Sequence, residues 1–115
     1  MKVTIYHNPR CSKSRQTLQI LQQHGIEPEV IEYLRTPPDR PTLEYILTLL
    51  GIGPRELMRK NEAEYKEAGL DDEMLSFEDL VSALLAHPIL IERPIVIANG
   101  KAVIGRPPEK VLEIL

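Results

Sequence analysis

The chain has 115 residues, fewer than the roughly 150 of a typical domain, so one domain spanning residues 1–115 is expected. Apolar residues make up 43% and charged residues 27%, which excludes global disorder; with only 4% aromatics, Leu, Ile and Val have to build the core. Fourteen Lys and Arg against 17 Asp and Glu leave a net charge of -3. That balance argues against a dedicated nucleic-acid binder, whose phosphate neutralisation needs a basic face.

Lys2 to Tyr6 is rich in β-branched and aromatic residues and predicts a strand. The run ends at His7-Asn8-Pro9-Arg10, too early for a signal-peptide core or a membrane span. Asn-Pro favours a turn, and a helix is predicted from Cys11-Ser12 to about His24, with Leu18 and Leu21 inward and Gly25 at its C-terminal cap. Pro28 to Leu34 alternates as a second strand. Strand, helix and strand in this span form a βαβ unit, whose two strands run parallel.

Thr36-Pro37-Pro38-Asp39-Arg40-Pro41 breaks the pattern. Behind Thr42 as N-cap, Leu43, Ile46, Leu47 and Leu50 recur at helical spacing. Pro54 is placed to open a further helical piece from Arg55 to Lys60. Ser76 and Asp79 have capping-box spacing, and Phe77, Leu80, Val81, Leu84 and Leu85 mark one face of a helix over 76–86. Strand character returns in residues 94–98 and 101–104, which flank the hairpin signal Asn99-Gly100. Pro107-Pro108 then introduces a terminal helix with Val111, Leu112 and Leu115 inward. The order βαβ, helical insertion (about residues 36–90), ββα is that of the thioredoxin or glutaredoxin fold: an α/β domain with a four-stranded mixed sheet.

Cys11 is the one cysteine, so an internal disulfide and a CxxC metal site are both impossible, and a reducing, cytoplasmic setting is expected. It stands where the first strand meets the first helix, beside Arg10, Lys13, Arg15 and His7. Open N–H groups and the helix dipole favour an anion there, and basic neighbours favour a thiolate. A lone cysteine is more often an inert apolar residue, but the junction and the polar flanks oppose that reading. Spacing narrows the chemistry further. A dithiol oxidoreductase would carry a second cysteine where Ser14 stands, and a cysteine phosphatase an arginine where Thr17 stands. A single nucleophile that relies on an external thiol for turnover remains.

These residues resemble a known family. His7-x-x-x-Cys11-x-x-x-Arg15 looks like the active-site motif of the glutathione- and glutaredoxin-dependent arsenate reductases. The likeness continues through Leu57-Met58-Arg59-Lys60, through His87-Pro88-Ile89-Leu90-Ile91-Glu92-Arg93-Pro94-Ile95-Val96, and through Gly105-Arg106-Pro107. It spans essentially the whole chain and is strongest to a short, YfgD-type subgroup that stops directly after the last helix.

The resemblance implies that Cys11 attacks arsenate, that glutathione attacks the adduct, and that glutaredoxin resolves the mixed disulfide as arsenite leaves. It implies Arg59, Arg93 and Arg106 as oxyanion-binding arginines, suited to that task by their planar forks. The backbone N–H groups of Ser12, Lys13 and Ser14 would cradle the anion, and Ser14 could also donate its hydroxyl. The bland alternatives are solvated surface arginines and an ordinary first-turn serine. Pro94 matches the cis-proline of thioredoxin-like folds. His7 either stabilises the thiolate or only hydrogen-bonds the loop, and Arg15 either holds the loop or favours the thiolate. Neither His24 nor His87 has metal-ligand company, so no metal or bound cofactor is expected, and glutathione serves as co-substrate. The expected partners are arsenate, glutathione and glutaredoxin, with no nucleic acid and no membrane. Two other functions fit less well: a glutathione-linked thiol oxidoreductase with another substrate leaves the three arginines unexplained, and a regulator similar to the Spx transcription factors commonly uses a CxxC switch that Ser14 removes.

Overall fold

A computed structural model describes residues 2–115. The chain divides into two compact units, residues 2–36 with Arg93–Leu115 and Pro37–Glu92.

In the first unit, strand β1 (Val3–His7) leads to helix α1 (Ser12–Gln23) and then to strand β2 (Glu29–Glu32). Strands β3 (Ile95–Ala98) and β4 (Lys101–Ile104) complete a sheet of order β2-β1-β3-β4. As the βαβ spacing predicts, β1 and β2 are parallel, with Tyr6 opposite Ile31. Strand β3 is antiparallel to both β1 and β4. The sheet is therefore mixed, and the α/β class and thioredoxin-like order read from the sequence are present. The β3–β4 hairpin turns on Asn99 and Gly100, both with positive φ (55° and 70°), the conformation for which Asn-Gly is chosen.

Alternate residues of β1 and β3 face α1 and the C-terminal segment. Val3, Ile5, Val96 and Ala98 meet Leu21, Val111 and Ile114 in one buried cluster, with Leu18 packed at its margin. Each large aliphatic side chain so buried contributes about 1.5–3 kcal/mol, and truncating Leu21, fully enclosed, to alanine would cost about 2–5 kcal/mol. The C-terminal segment Pro108–Ile114 is a 3₁₀ helix, not the expected α-helix. Its repeat of about three residues per turn turns Pro108, Val111 and Ile114 inward and leaves Leu112 exposed. This corrects the expectation that Leu112 faces the core.

In the second unit, helix α2 (Arg40–Leu50) buries Leu43, Ile46 and Leu47. Its N-cap is Asp39, not Thr42: the Asp39 carboxylate accepts the Thr42 N–H at 2.9 Å. Pro41 thus lies inside the first turn, where a missing N–H does no harm. One 3₁₀ turn, Arg55–Leu57, stands where a longer helix was expected, and the short helix α3 (Ala63–Glu67) carries no apolar periodicity that could announce it. Helix α4 (Phe77–Ala86) has the predicted capping box, Ser76 and Asp79 exchanging side-chain and backbone hydrogen bonds at 3.1 and 3.0 Å. Leu80, Val81 and Leu84 are buried, whereas Phe77 is exposed. Helical side chains lean toward the N-terminus, so the first helical residue projects past the end of the covered face. No helix among the described residues is long and apolar enough to cross a membrane.

Candidate active site

Cys11 is the N-cap of α1, in extended conformation and buried. Its own N–H donates to Asn8 C=O at 3.0 Å, which closes the loop after β1. The first bond of the helical ladder runs from Arg15 N–H to Cys11 C=O, also 3.0 Å. The N–H groups of Ser12, Lys13 and Ser14 precede that bond and lie in the first turn, where a helix has donors without intrahelical acceptors. The sulfur therefore sits at the positive end of a 12-residue helix.

The buried His7 and Ser14 join the half-buried Asn8 in a polar cluster at this loop. Ser14 Oγ lies 2.6 Å from His7 Nδ1 and accepts the Asn8 N–H at 3.0 Å. Burial pushes the His7 pKa below 6.5, the nearby Glu32 carboxylate opposes that shift, and Arg15 adds to it. Neutral imidazole is the favoured form, suited to exchange one hydrogen bond with a hydroxyl. Arg15 Nη1 donates to Pro9 C=O at 3.0 Å and braces the loop from the first helical turn.

Two arginines arrive from the other end of the chain. The Arg93–Pro94 peptide is cis, as the fold predicts, and Arg106–Pro107 is a second cis bond that the sequence reading did not anticipate. Arg106 Nη1 donates to Arg93 C=O at 3.1 Å and approaches Cys11 Sγ at 4.0 Å. The Arg106 guanidinium, 95 positions away from Cys11 in sequence, is thus held beside the sulfur by the backbone of Arg93. Gly105 allows the approach. It is buried, its N–H donates to Pro94 C=O at 2.9 Å, and a Cβ there would lie 2.5 Å from Thr17 Oγ1 and 2.9 Å from Pro94 Cγ. The positioning role of Gly105 and Thr17 escaped the sequence reading; no local pattern encodes a packing contact between the end of β4 and the middle of α1.

Arg59 belongs to the second unit. Its backbone N–H donates to Leu90 C=O at 2.7 Å, next to the Met58–Ile91 bridge, and its guanidinium pairs with Glu62. Arg55, to which the sequence reading gave no role, braces this region by donating to Tyr65 Oη and to the carbonyls of Leu70 and Asp72. Ser12 and Lys13 are exposed on the first turn of α1. No group of three or more His, Cys, Asp or Glu among the described residues is arranged to hold a metal ion.

Residues 6–114 match the model of the ArsC family. The chain is 59% identical over 115 residues to the uncharacterized protein YfgD of Escherichia coli K12, covering 99% of this chain and 97% of that one. It is 49% identical to an arsenate reductase of Neisseria meningitidis serogroup A, covering 99% and 98% of the two chains. Among solved structures, an arsenate reductase from Vibrio cholerae superposes with a TM-score of 0.97 at 53% identity, covering 100% of this chain and 98% of that one.

Proposed function

The chain belongs to the ArsC family, and we propose that it is an arsenate reductase in which Cys11 is the nucleophile and glutathione with glutaredoxin supplies two electrons. The observation that carries this reading is the Arg106 guanidinium 4.0 Å from Cys11 Sγ, at the N-terminus of α1. A cation and a set of helix-start N–H groups beside a sulfur favour an incoming tetrahedral anion there.

Arsenate binds with its oxygens on the first-turn N–H groups of Ser12, Lys13 and Ser14 and on the forks of Arg93 and Arg106. The Cys11 thiolate attacks arsenic and forms an S–As bond, while one arsenate oxygen leaves as water after protonation. Glutathione thiolate then attacks Cys11 Sγ. An S–S bond forms, the S–As bond breaks, and its electron pair stays on arsenic, which falls from As(V) to As(III) and departs as arsenite. A glutaredoxin thiolate attacks the glutathione sulfur of the mixed disulfide and returns Cys11 as thiolate. Covalent catalysis divides one two-electron reduction into displacements at sulfur and arsenic. His7, Ser14 and Arg15 hold the loop that presents the sulfur, and Pro94 C=O accepts the N–H of Gly105, the residue before Arg106. A reducing, cytoplasmic setting suits a site that depends on an external thiol.

The test is arsenate-dependent NADPH oxidation coupled through glutathione reductase, glutathione and glutaredoxin. Turnover is expected from the wild type, none from Cys11→Ser, and much less from Arg93→Ala. A folded wild-type protein with a reactive thiol and no arsenate-dependent turnover would overturn the reading.

A further inference from the structure

The loop before Cys11 also borders a cleft. This cleft of about 350 Å³ is lined by residues 7–10 and, after β2, by Glu32, Leu34 and Arg35. That volume lies within the range of pockets that hold small ligands. Its lining is chemically divided. Pro9 and the exposed Leu34 give an apolar surface, while Arg10 and Arg35 bring two guanidiniums and Glu32 one carboxylate.

Among the described residues neither arginine is tied up by a partner, and the Glu32 carboxylate acts only electrostatically, on His7. Arg15, Arg40, Arg55, Arg59 and Arg106 each have a side-chain partner. Among the described residues the side chains of Arg10, Arg35 and Glu32 have no hydrogen bond or ion pair. The backbone, by contrast, is fixed on both sides: Arg10 N–H donates to Asn8 Oδ1 at 3.0 Å, and Arg35 N–H to Glu32 C=O at 2.9 Å. Rigid main chain carrying uncommitted charged ends is the arrangement a polar ligand requires.

We infer that this cleft is the binding site for glutathione, with Arg10 and Arg35 taking its two carboxylates, Glu32 its ammonium group, and Leu34 and Pro9 the apolar part of the tripeptide. The charge pattern decides against arsenate as the occupant. A carboxylate in the wall repels a dianion, whereas two cations and one anion complement the two carboxylates and one ammonium of glutathione. Location agrees, because the loop that lines the cleft runs directly into Cys11. The inference rests on glutathione being the reductant, and it names where that reductant sits.

S-Methylglutathione, which cannot form a disulfide with Cys11, is the probe. It is titrated into the reduced full-length protein while backbone amide resonances are followed. Shifts are expected at Asn8, Arg10, Leu34 and Arg35, and the double variant Arg10→Ala/Arg35→Ala should bind about tenfold more weakly, two partly exposed charge pairs having been lost. Arg35→Glu should weaken binding at least as much. In turnover, the double variant should raise KM for glutathione by a similar factor with KM for arsenate within about twofold of wild type. Shifts confined to other residues, or a double variant that binds like the wild type, would overturn the assignment. Because the probe binds without arsenate, a protein that binds it at these residues yet fails to reduce arsenate would preserve the cleft and refute the proposed reaction.

Discussion

Ser14 Oγ lies 2.6 Å from His7 Nδ1 and accepts the Asn8 N–H at 3.0 Å, with Ser14 fully buried. One hydroxyl thus joins the last residue of β1, the loop after it and the first turn of α1. It occupies the position that a second cysteine would take in a dithiol enzyme. The substitution that removes a resolving thiol therefore also supplies the acceptor that shapes the nucleophile's loop.

Ser14→Ala leaves a buried imidazole nitrogen and a backbone N–H without their partner. Groups stranded in this way cost about 1–3 kcal/mol each, so a stability loss of at least about 1 kcal/mol is expected in urea unfolding. Alkylation of Cys11 by iodoacetamide should change in rate as well, since the same hydroxyl holds the cysteine loop. An unchanged urea midpoint with unchanged alkylation would show that the cluster does not constrain the loop.

His7 makes stability depend on pH in one direction. Burial holds its folded-state pKa below 6.5, with Glu32 opposing and Arg15 reinforcing the shift. Between the lowered folded value and 6.5 the unfolded chain binds more protons than the native one, so acidification favours unfolding. The contribution is complete above pH 6.5 and is lost as pH falls through the folded-state value. Urea midpoints of the wild type should decline through this window, and those of His7→Gln should decline less. Glu32→Gln removes the opposing charge and should move the His7 titration, followed by its ring proton resonances, further down. A wild-type titration at or above 6.5 would contradict this account.

The βαβ order, the Asn99-Gly100 hairpin, the Ser76–Asp79 capping box and the placement of Cys11 at a strand-helix junction were legible in the sequence because each depends on neighbours within a few residues. Three features were not. The alternation of Asp39 and Thr42 as cap cannot be resolved when both types cap well and a proline follows. The 3₁₀ form of residues 108–114 is imposed by packing of Val111 and Ile114 on the sheet, since the apolar spacing alone fits an α-helix equally. The approach of Arg106 to Cys11 joins chain segments 95 positions apart and depends on Gly105, whose need for a bare Cα is set by Thr17 and Pro94. Arg106 itself was named only through the family resemblance; composition and periodicity carry no trace of it.

That glycine gives a sharp prediction. A methyl group on residue 105 would meet Thr17 Oγ1 at 2.5 Å, and Thr17 is pinned by its own hydrogen bond to Lys13 C=O at 2.9 Å. Neither Thr17 nor the ring of Pro94 can retreat without moving α1 or the start of β3. Gly105→Ala should lose about 1–3 kcal/mol of stability, the usual cost of overpacking, and should weaken arsenate turnover because the next residue is Arg106. Gly105→Ala combined with Thr17→Ser, which removes the methyl 3.1 Å from the new Cβ, should recover part of the stability. A single variant as stable as the wild type would show that β4 and α1 are not in close contact here.

Arg106 provides the most direct examination of the site. Its Nη1 is shared between Cys11 Sγ at 4.0 Å and Arg93 C=O at 3.1 Å, and the residue is otherwise exposed. Removing it disturbs little packing, so a loss of activity can be assigned to charge and geometry. Arg106→Ala should lower kcat/KM for arsenate by roughly a hundredfold, the magnitude typical of deleting one preorganised donor to a developing anion. Arg106→Lys restores the charge without the planar fork that could hold the Arg93 carbonyl and an oxyanion together, so only a fraction of the loss should return. Alkylation of Cys11 should slow in Arg106→Ala and recover more fully in Arg106→Lys, because the thiolate responds to charge whereas arsenate also requires the fork. Equal recovery of both activities by lysine would mean that Arg106 acts as a point charge alone, and full activity in Arg106→Ala would remove it from the catalytic apparatus.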